Sequence, residues 1–302
     1  MLTNFFTAIL VIFNPLIFLM ADNIEPLIES PILLERSMAS ALLLANPNFL
    51  PIRNWEVEEP DIKAKSAIVF DAEKNKVLYE KEIDRILPIA SLTKIMTALI
   101  VLENIGLDEI TTISKEAVSA YGETGNLVVK EKISIINLLH VLLMESSNDA
   151  AVALSEAVEQ KTGKSFVGLM NEKVDKMGLT STRFSDPSGF NSTNISTTNE
   201  IVKIVKHSFD QSIIWQILKT SEIDLSSDDG EIKHHWINTD ELLNRLPNVI
   251  GGKTGYTTEA EGCLILAVEI SSKKIVSVVL GAQERFLETE ELIKWVERAY
   301  QW

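Results

Sequence analysis

Three short patterns in the chain bring together the residue types that nucleophilic catalysis needs, and each pattern occurs twice. A serine hydroxyl attacks poorly until a neighbouring group takes its proton. A lysine can take that proton only when burial or a nearby cation lowers its pKa. The Ser-x-x-Lys pattern matches residues 91–94 and 271–274, Ser-x-Asn matches 146–148 and 192–194, and Lys-Thr-Gly matches 253–255 and 161–163. Because every pattern has a second copy, the surrounding elements must decide which copies form a site.

Ser91 and Lys94 stand at the start of a predicted helix that runs to about Asn104, where Gly106 can end it. Residues three apart share one helix face, with roughly 5–6 Å between Cβ atoms, so Lys94 can reach the Ser91 hydroxyl. Free N–H groups at a helix start also favour developing negative charge. The second copy, 271–274, lies in a predicted hairpin turn, where the serine and lysine side chains would be exposed and not fixed in position. The alternative is that Ser91 only caps the helix while Lys94 is solvated.

Ser146 and Asn148 lie at the break between two apolar helical segments, where loop residues face inward. Ser192 and Asn194 lie instead in a polar loop rich in serine, threonine and asparagine. A buried junction can hold side chains at a reactive centre, so the first copy is the better candidate. The alternative for Asn148 is helix capping, a role that asparagine fills well.

The two Lys-Thr-Gly copies differ most clearly. Residues 161–163 end a predicted helix, with Gly163 as its C-cap. Residues 253–255 follow an apolar, glycine-containing stretch that is typical of an edge strand approached closely by another backbone. Such a strand can bind a peptide by main-chain pairing. Lys253 and Thr254 would then meet the carboxylate of that peptide.

Strands are predicted at both ends of the chain, and helices fill its middle. The simplest assembly is an α+β fold, in which an antiparallel sheet built from the two ends is flanked by helices and carries an inserted helical lobe at about 95–220. A cleft is expected where the lobe meets the sheet. Helices are predicted over 91–104, 134–144, 148–160, 165–177, 199–208, 211–218 and 288–300, and strands over 66–70, 76–79, 232–237, 249–254, 264–270 and 275–280.

The N-terminal residues differ in character from the rest. Residues 5–20 are nearly all apolar, which is short for a membrane span but suits the apolar part of an export signal. We therefore expect residues 1–21 to be a signal peptide or an N-terminal membrane anchor. Residues 22–60 are punctuated by proline and are predicted to be a linker or extension, and 61–302 to be the catalytic domain.

Composition excludes several classes of function. The 302 residues carry a formal net charge of −15, which argues against nucleic-acid binding. The single cysteine, Cys263, cannot form an internal disulfide, and its apolar neighbours predict a small buried side chain. No histidine pair has the spacing of a metal site, so neither a metal nor another cofactor is expected. Adjacent residues His234 and His235 are expected to point to opposite faces of a strand.

Four stretches resemble the serine-type D-alanyl-D-alanine carboxypeptidases, the low-molecular-mass penicillin-binding proteins. They are residues 65–103, 142–151, 184–191 and 252–257, within a similarity that spans about 61–302 in the family's order. The resemblance implies a β-lactamase/transpeptidase-like fold and a two-step acyl transfer. Its substrate would be the stem peptide of peptidoglycan, and β-lactam antibiotics would inhibit it by acylating the same serine.

The resemblance also implies a role for each candidate residue. Ser91 would attack the carbonyl between two terminal D-alanines, with Lys94 as its base. Ser146 would relay a proton to the leaving D-alanine. Asn148 would hold the substrate amide, and Lys253 and Thr254 would bind the terminal carboxylate beside Gly255. Backbone N–H groups of Ser91 and Tyr256 would form an oxyanion hole. Lys274 would stand where many members carry an arginine that binds the carboxylate.

The same motifs are also compatible with other functions. The same residues could serve a D,D-endopeptidase that cuts cross-links, or a non-catalytic binder of cell-wall peptides or penicillin. A β-lactamase is disfavoured because residues 165–199 lack a clear Glu-x-x-x-Asn loop. All these readings place the protein outside the cytoplasm in the cell envelope, with any membrane attachment made by the N-terminus.

Overall fold

The structure, a computed structural model, describes residues 51–302. The predicted signal or anchor at 1–21, and most of the predicted linker at 22–60, lie outside these residues. No helix within 51–302 is long and apolar enough to span a bilayer. The helices are α1 (Thr93–Asn104), α2 (Lys115–Val118), α3 (Ile135–Met144), α4 (Asn148–Thr162), α5 (Phe166–Lys176), α6 (Thr198–Ser208), α7 (Ser212–Lys219) and α8 (Arg285–Ala299).

The strands confirm that the sheet is built from both ends of the described chain. They are β1 (Ile52–Arg53), β2 (Ser66–Asp71), β3 (Lys76–Lys81), β4 (Leu87–Pro88), β5 (Ile110–Thr112), β6 (Lys132–Ser134), β7 (Ile195–Ser196), β8 (Glu222–Ser226), β9 (Lys233–Ile237), β10 (Val249–Thr257), β11 (Glu261–Ile270), β12 (Lys273–Ala282) and β13 (Tyr300–Gln301). Five of them form one antiparallel sheet in the order β10-β11-β12-β2-β3. Strand β10 is one of its two edges, as its glycines predicted.

Both faces of this sheet are covered, which explains why β2 is buried along its whole length. Successive side chains of a strand point to opposite faces. Ile68 and Phe70 therefore enter a core shared with the helical lobe. Ala67 and Val69 enter a second core that α8 closes with Leu292, Trp295 and Val296. The α+β class expected from the sequence is confirmed.

Helix α1 lies at the centre of the helical lobe, and every residue from Thr93 to Val101 is buried. Three of these residues, Thr93, Lys94 and Thr97, are polar. A buried polar group is costly unless it is hydrogen-bonded. The elements around α1 must therefore supply partners, and those partners define the site described below.

The turn between β11 and β12 is tighter than the sequence suggested. Ser271 and Ser272 both have positive φ, 50° and 59°, which is the geometry of a two-residue hairpin turn. Lys273 and Lys274 consequently belong to β12 and not to the turn. In β9, His234 is buried and His235 is exposed, as the alternation of a strand predicts.

Leu292 and Leu287 test whether α8 closes the second core, because both lie on this helix but only Leu292 is buried. Leu292 is fully buried, whereas Leu287 is 54% exposed. We expect Leu292→Ala to lower the free energy of unfolding by about 2–5 kcal/mol, since it leaves a cavity. The matched control Leu287→Ala should change it by roughly 0.5 kcal/mol or less. Urea denaturation followed by fluorescence measures both, and equal losses would contradict the assignment.

Candidate active site

Ser91 lies in a short 3₁₀ helix, Ala90–Leu92, that leads directly into α1. The helix predicted from Ser91 therefore begins with a tighter turn. Ala90 takes a positive φ of 46°, and the N–H of Ile89 donates to the carbonyl of Asn194 at 3.0 Å. These constraints leave the Ser91 side chain half-buried at the wall of a cleft.

Lys94 is fully buried, and its Nζ has three oxygen neighbours. Nζ lies 2.9 Å from Ser91 Oγ, 2.7 Å from Asn148 Oδ1 and 2.7 Å from the carbonyl oxygen of Ser188. Amide and carbonyl oxygens can only accept hydrogen bonds. A neutral amine has two N–H bonds and one lone pair. The two obligate acceptors use both N–H bonds, which leaves the lone pair for the Ser91 hydroxyl.

The surroundings of Lys94 favour this neutral form. Burial lowers its pKa well below the ordinary value, and the nearby charge of Lys253 lowers it further. The carboxylates of Asp186, Glu123 and Asp149 oppose the shift without cancelling it. The arrangement can therefore take a proton from Ser91 at neutral pH, which a solvated lysine cannot do.

Ser146 and Lys253 form a second buried pair beside the first. Lys253 Nζ donates to Ser146 Oγ at 2.9 Å and to the carbonyl of Thr254 at 3.0 Å. Burial lowers the pKa of Lys253 to about 7, with the Arg285 charge adding to the decrease and the Asp240 charge opposing it. Ser146 takes a positive φ of 62° at the junction between α3 and α4. The pair can pass a proton at near-neutral pH.

Strand β10 forms the other wall of the cleft. A Cβ on Gly255 would lie 3.0 Å from the backbone nitrogen of Ser91, so the strand and the turn of Ser91 are in close contact. Thr254 Oγ1 lies 2.6 Å from Thr239 Oγ1, and the Tyr256 side chain is exposed at the rim. The cleft has a volume of about 610 Å³ and is lined by Ser91, Gly122, Glu123, Asn148, Gly189, Phe190, Asn191, Ser192, Tyr256, Thr257, Thr258 and Glu259.

Two buried side chains hold the loops that complete the cleft. Asp149 accepts hydrogen bonds from the N–H groups of Gly125 and Leu127, at 2.9 and 3.2 Å. Asn194 accepts from the Ser185 N–H at 2.8 Å and donates to Thr93 Oγ1 at 3.1 Å. The Asn194 of the second Ser-x-Asn copy is thus a structural residue that ties a loop to α1, not a second reactive centre.

The second copies of the other two patterns lie apart from the cleft, whereas Ser192 lines it. Lys161 forms an ion pair with Glu109, and Gly163 caps α4 with a φ of 67°. Lys274 pairs with Glu269 in the sheet, toward the end of the strands opposite Gly255. Its ammonium lies 4.0 Å above the ring of Phe209. The structure therefore brings together every site residue predicted from the sequence except Lys274.

Three contributors were missed at the sequence level. The Ser188 carbonyl contacts Lys94, but a backbone oxygen gives no residue-type signal. Arg285, the first residue of α8, lies close enough to lower the pKa of Lys253. Asp240 lies beside β10 and raises the pKa of Lys253. A lone charged residue outside any motif could not be assigned from spacing. Cys263 is buried as predicted, and burial raises the pKa of its thiol to about 12.

The fold and the serine–lysine site together define a serine enzyme of the transpeptidase-like fold. Residues 53–284 match the family described as peptidase S11, D-alanyl-D-alanine carboxypeptidase. The chain belongs to this family, as the resemblance of its motifs indicated.

Curated and structural relatives agree with this membership. A D-alanyl-D-alanine endopeptidase of Pseudomonas aeruginosa is 32% identical, with 79% of each chain covered. A D-alanyl-D-alanine carboxypeptidase of Bacillus subtilis is 30% identical, over 79% of this chain and 62% of the relative. The crystal structure of the Streptomyces K15 DD-transpeptidase superposes with a TM-score of 0.74 at 30% identity, covering 79% of this chain and 98% of that one.

Gly189 and Gly178 test whether the loop beside Ser91 positions the serine. Both have positive φ, 83° and 65°, so alanine carries left-handed strain of roughly 1–2 kcal/mol at either position. A Cβ on Gly189 would lie 1.9 Å from the Ala90 carbonyl oxygen, whereas nothing lies within 4 Å at Gly178. We expect Gly189→Ala to slow acylation of Ser91 by a fluorescent penicillin on the order of 100-fold. Gly178→Ala is the control, and equal labelling of both variants would refute a positioning role.

Proposed function

We propose that this protein is a serine D,D-carboxypeptidase that removes the terminal D-alanine from peptidoglycan pentapeptide stems through an acyl-enzyme on Ser91. The observation that carries the proposal is the buried amine of Lys94, held 2.9 Å from the Ser91 hydroxyl. Membership of the D-alanyl-D-alanine carboxypeptidase family supports the choice of substrate.

In the first step, Ser91 attacks the carbonyl carbon between the two D-alanines while its proton moves to the lone pair of Lys94. The oxygen of that carbonyl gains negative charge. Backbone N–H groups of Ser91 and Tyr256 would form the oxyanion hole and stabilise this charge by about 3 kcal/mol per donor. A penicillin would acylate Ser91 by the same attack on its strained ring amide.

The leaving D-alanine needs a proton on its nitrogen, and Ser146 is placed to give one. Its hydroxyl is replenished by the Lys253 ammonium, which already donates to it at 2.9 Å. Lys94 gains a proton as Lys253 loses one, so the two lysines share a single positive charge throughout. Water then attacks the acyl-enzyme, its proton returns to Lys253 through Ser146, and Lys94 gives its proton back to Ser91.

The rest of the stem peptide would lie along β10. The strand is an edge strand of the sheet, so its outer N–H and C=O groups can pair with an extended peptide. Asn148 Nδ2 donates one N–H to the Tyr121 carbonyl at 2.6 Å. Its second N–H can donate to a carbonyl of the substrate. Pairing of this kind would bring the scissile bond between Ser91 and Ser146.

The terminal carboxylate would be bound by Lys253, Thr254 and Arg285. We assign Arg285, and not Lys274, as the additional cation. The Arg285 side chain passes over Gly262, since a Cβ there would lie 3.1 Å from Arg285 Cβ, and Gly262 pairs with Tyr256. Its Nε is buried without a hydrogen-bond partner. A guanidinium in this position can bind a carboxylate through two parallel N–H donors.

Matched substitutions of the two cations distinguish these assignments. We expect Arg285→Met to raise the KM for a peptide ending in D-alanyl-D-alanine by roughly tenfold or more, because a charge-assisted hydrogen bond to the carboxylate contributes about 1.5–3 kcal/mol. Lys274→Met should leave KM unchanged. Steady-state kinetics of D-alanine release measures both. The opposite pattern would favour Lys274 as the carboxylate ligand.

Mass spectrometry of a muropeptide pentapeptide incubated with the protein tests the proposed function directly. We expect loss of one D-alanine with the wild type and no loss with Ser91→Ala, since removing the nucleophile of such enzymes costs on the order of a million-fold in rate. Ser271→Ala, in the second Ser-x-x-Lys copy, is the matched control and should retain activity. Failure of the wild type to release D-alanine would reject the carboxypeptidase assignment.

A second candidate function is D,D-endopeptidase activity on cross-linked stems. The observation that favours it is the endopeptidase name of the Pseudomonas aeruginosa relative. Both reactions cut an amide that follows a D-alanine, and they differ in the size of the leaving group. The open cleft beside Ser91 supports access for either. The same digest distinguishes them, because endopeptidase activity converts cross-linked dimers to monomers.

The substrate places the proposed site of action in the cell envelope. Peptidoglycan stems lie outside the cytoplasmic membrane, so the protein must be exported. The apolar residues 5–20 suit an export signal or an anchor, and residues 61–302 would form the exported catalytic domain. Any attachment to the membrane would then come from the N-terminal segment.

A further inference from the structure

A buried carboxyl group, that of Asp240, lies directly beside the Lys-Thr-Gly strand. The residue is 2% exposed and precedes the 3₁₀ helix Glu241–Asn244. Its Oδ1 accepts the Leu242 N–H at 3.0 Å and so caps this helix. Its Oδ2 is buried without a hydrogen-bond partner. Capping uses only one oxygen, so it does not account for the second.

The Asp240 carboxyl group is held against β10 at the residue preceding Lys253. A Cβ on Gly252 would lie 2.0 Å from Asp240 Oδ2, so only glycine leaves room for this oxygen. The neighbouring residue Thr239 contacts Thr254 through a 2.6 Å hydroxyl–hydroxyl hydrogen bond. The segment that carries Asp240 thus packs along the Lys-Thr-Gly residues. The Asp240 carboxyl group occupies the space that a side chain at position 252 would fill.

The charges that act on this carboxyl come from each element around it. They are Lys253 on β10, Arg285 at the start of α8 and Glu241 on the 3₁₀ helix itself. Burial raises the pKa of Asp240 to about 6, while the Leu242 N–H, Lys253 and Arg285 oppose the increase and Glu241 adds to it. At neutral pH the carboxyl group is therefore ionised beside two cations.

Lys253 needs its positive charge for the mechanism proposed above. Its Nζ donates to Ser146 Oγ and to the Thr254 carbonyl. An amine has only two N–H bonds, whereas an ammonium has a third that can donate to a substrate carboxylate. Complete burial and the Arg285 charge both disfavour that ammonium, and the Asp240 carboxylate is the group that opposes them.

We propose that Asp240 is a positioning residue whose carboxylate keeps Lys253 in its ammonium form and thereby sets the upper pH limit of substrate-carboxylate binding. The inference rests on the proposed function, because it assigns a purpose to the charge of Lys253 in binding the peptide terminus. It predicts that removing the Asp240 carboxylate weakens substrate binding in a way that depends on pH. A purely structural role of Asp240 would not produce this pH dependence.

The sign of the effect follows from the two pKa values. Above about pH 6 Asp240 is ionised and raises the pKa of Lys253, which lies near 7. Without the carboxylate, the pKa of Lys253 falls, so the ammonium is lost at a lower pH. The alkaline limb of kcat/KM should move down by about one pH unit, the usual effect of one close opposite charge. At pH 5.5 Lys253 stays largely protonated with or without the Asp240 carboxylate, so the difference in kcat/KM between the wild type and the variant should largely vanish.

The experiment compares the wild type with Asp240→Asn, Asp240→Ser and Glu241→Gln from pH 5 to 9, using a peptide that ends in D-alanyl-D-alanine. Asparagine and serine both retain a capping oxygen for Leu242, so the helix should persist, and urea denaturation checks this. Glu241→Gln is the matched control, because it removes a neighbouring exposed carboxylate. We expect the KM of both Asp240 variants to rise about tenfold at pH 7.5. The kcat should stay within roughly twofold, because a bound substrate carboxylate itself favours the Lys253 ammonium in the complex.

Two results would overturn the proposal while leaving the proposed function intact. One is an Asp240→Asn profile that superimposes on that of an active wild type. The other is a KM increase of the same size at every pH, which would indicate a structural role alone. A wild type that releases no D-alanine, in contrast, rejects the proposed function, and the inference is rejected with it.

Discussion

The arrangement of the site depends on one buried amine. Lys94 has no contact with bulk water, so each hydrogen bond of its Nζ must come from the protein. The three oxygen atoms come from separate places: the turn before α1, the start of α4, and the loop that contains Ser188. A shift in any of them would leave a buried polar group unpaired. The position of Ser91 is therefore set by the whole lobe and not by its own helix alone.

A second constraint is electrostatic, because two buried lysines stand close together. Burying an unpaired charge costs several kcal/mol, and two like charges add to that cost. The site reduces it by leaving Lys94 neutral and placing the shared charge on Lys253. Asp240 and Arg285 then adjust Lys253 in opposite directions. This division gives one group that can accept a proton and one that can donate it, which is the requirement for general acid–base catalysis.

The sheet supplies the rigidity that these short contacts require. Its two faces are covered by separate cores, one shared with the lobe and one closed by α8. Strand β10 is one of the two edge strands, and its outer side borders the cleft beside Ser91. Glycines at 252 and 255 allow other groups to approach the strand on both of its faces: the Asp240 carboxyl on one and the turn of Ser91 on the other. Binding and catalysis therefore meet at the same strand.

Local sequence was enough to predict the order of the motifs, the seven longer helices, the five strands of the main sheet and β9, but not α2, β8 or the two- and three-residue strands. Periodicity located the helices and strands to within a few residues, and the flanks of Ser91, Ser146 and Lys253 separated them from their second copies. These signals arise from neighbours along the chain. Only the tertiary structure showed that Arg285 lies beside Gly262, the partner of Tyr256, whereas Lys274 lies beside Glu269 at the other end of β11. It alone also revealed the Ser188 carbonyl, 94 residues from Lys94, and the Asp240 carboxyl. A contact made by a backbone oxygen or by a lone acid leaves no pattern in sequence, because its partner is chosen by how distant segments pack.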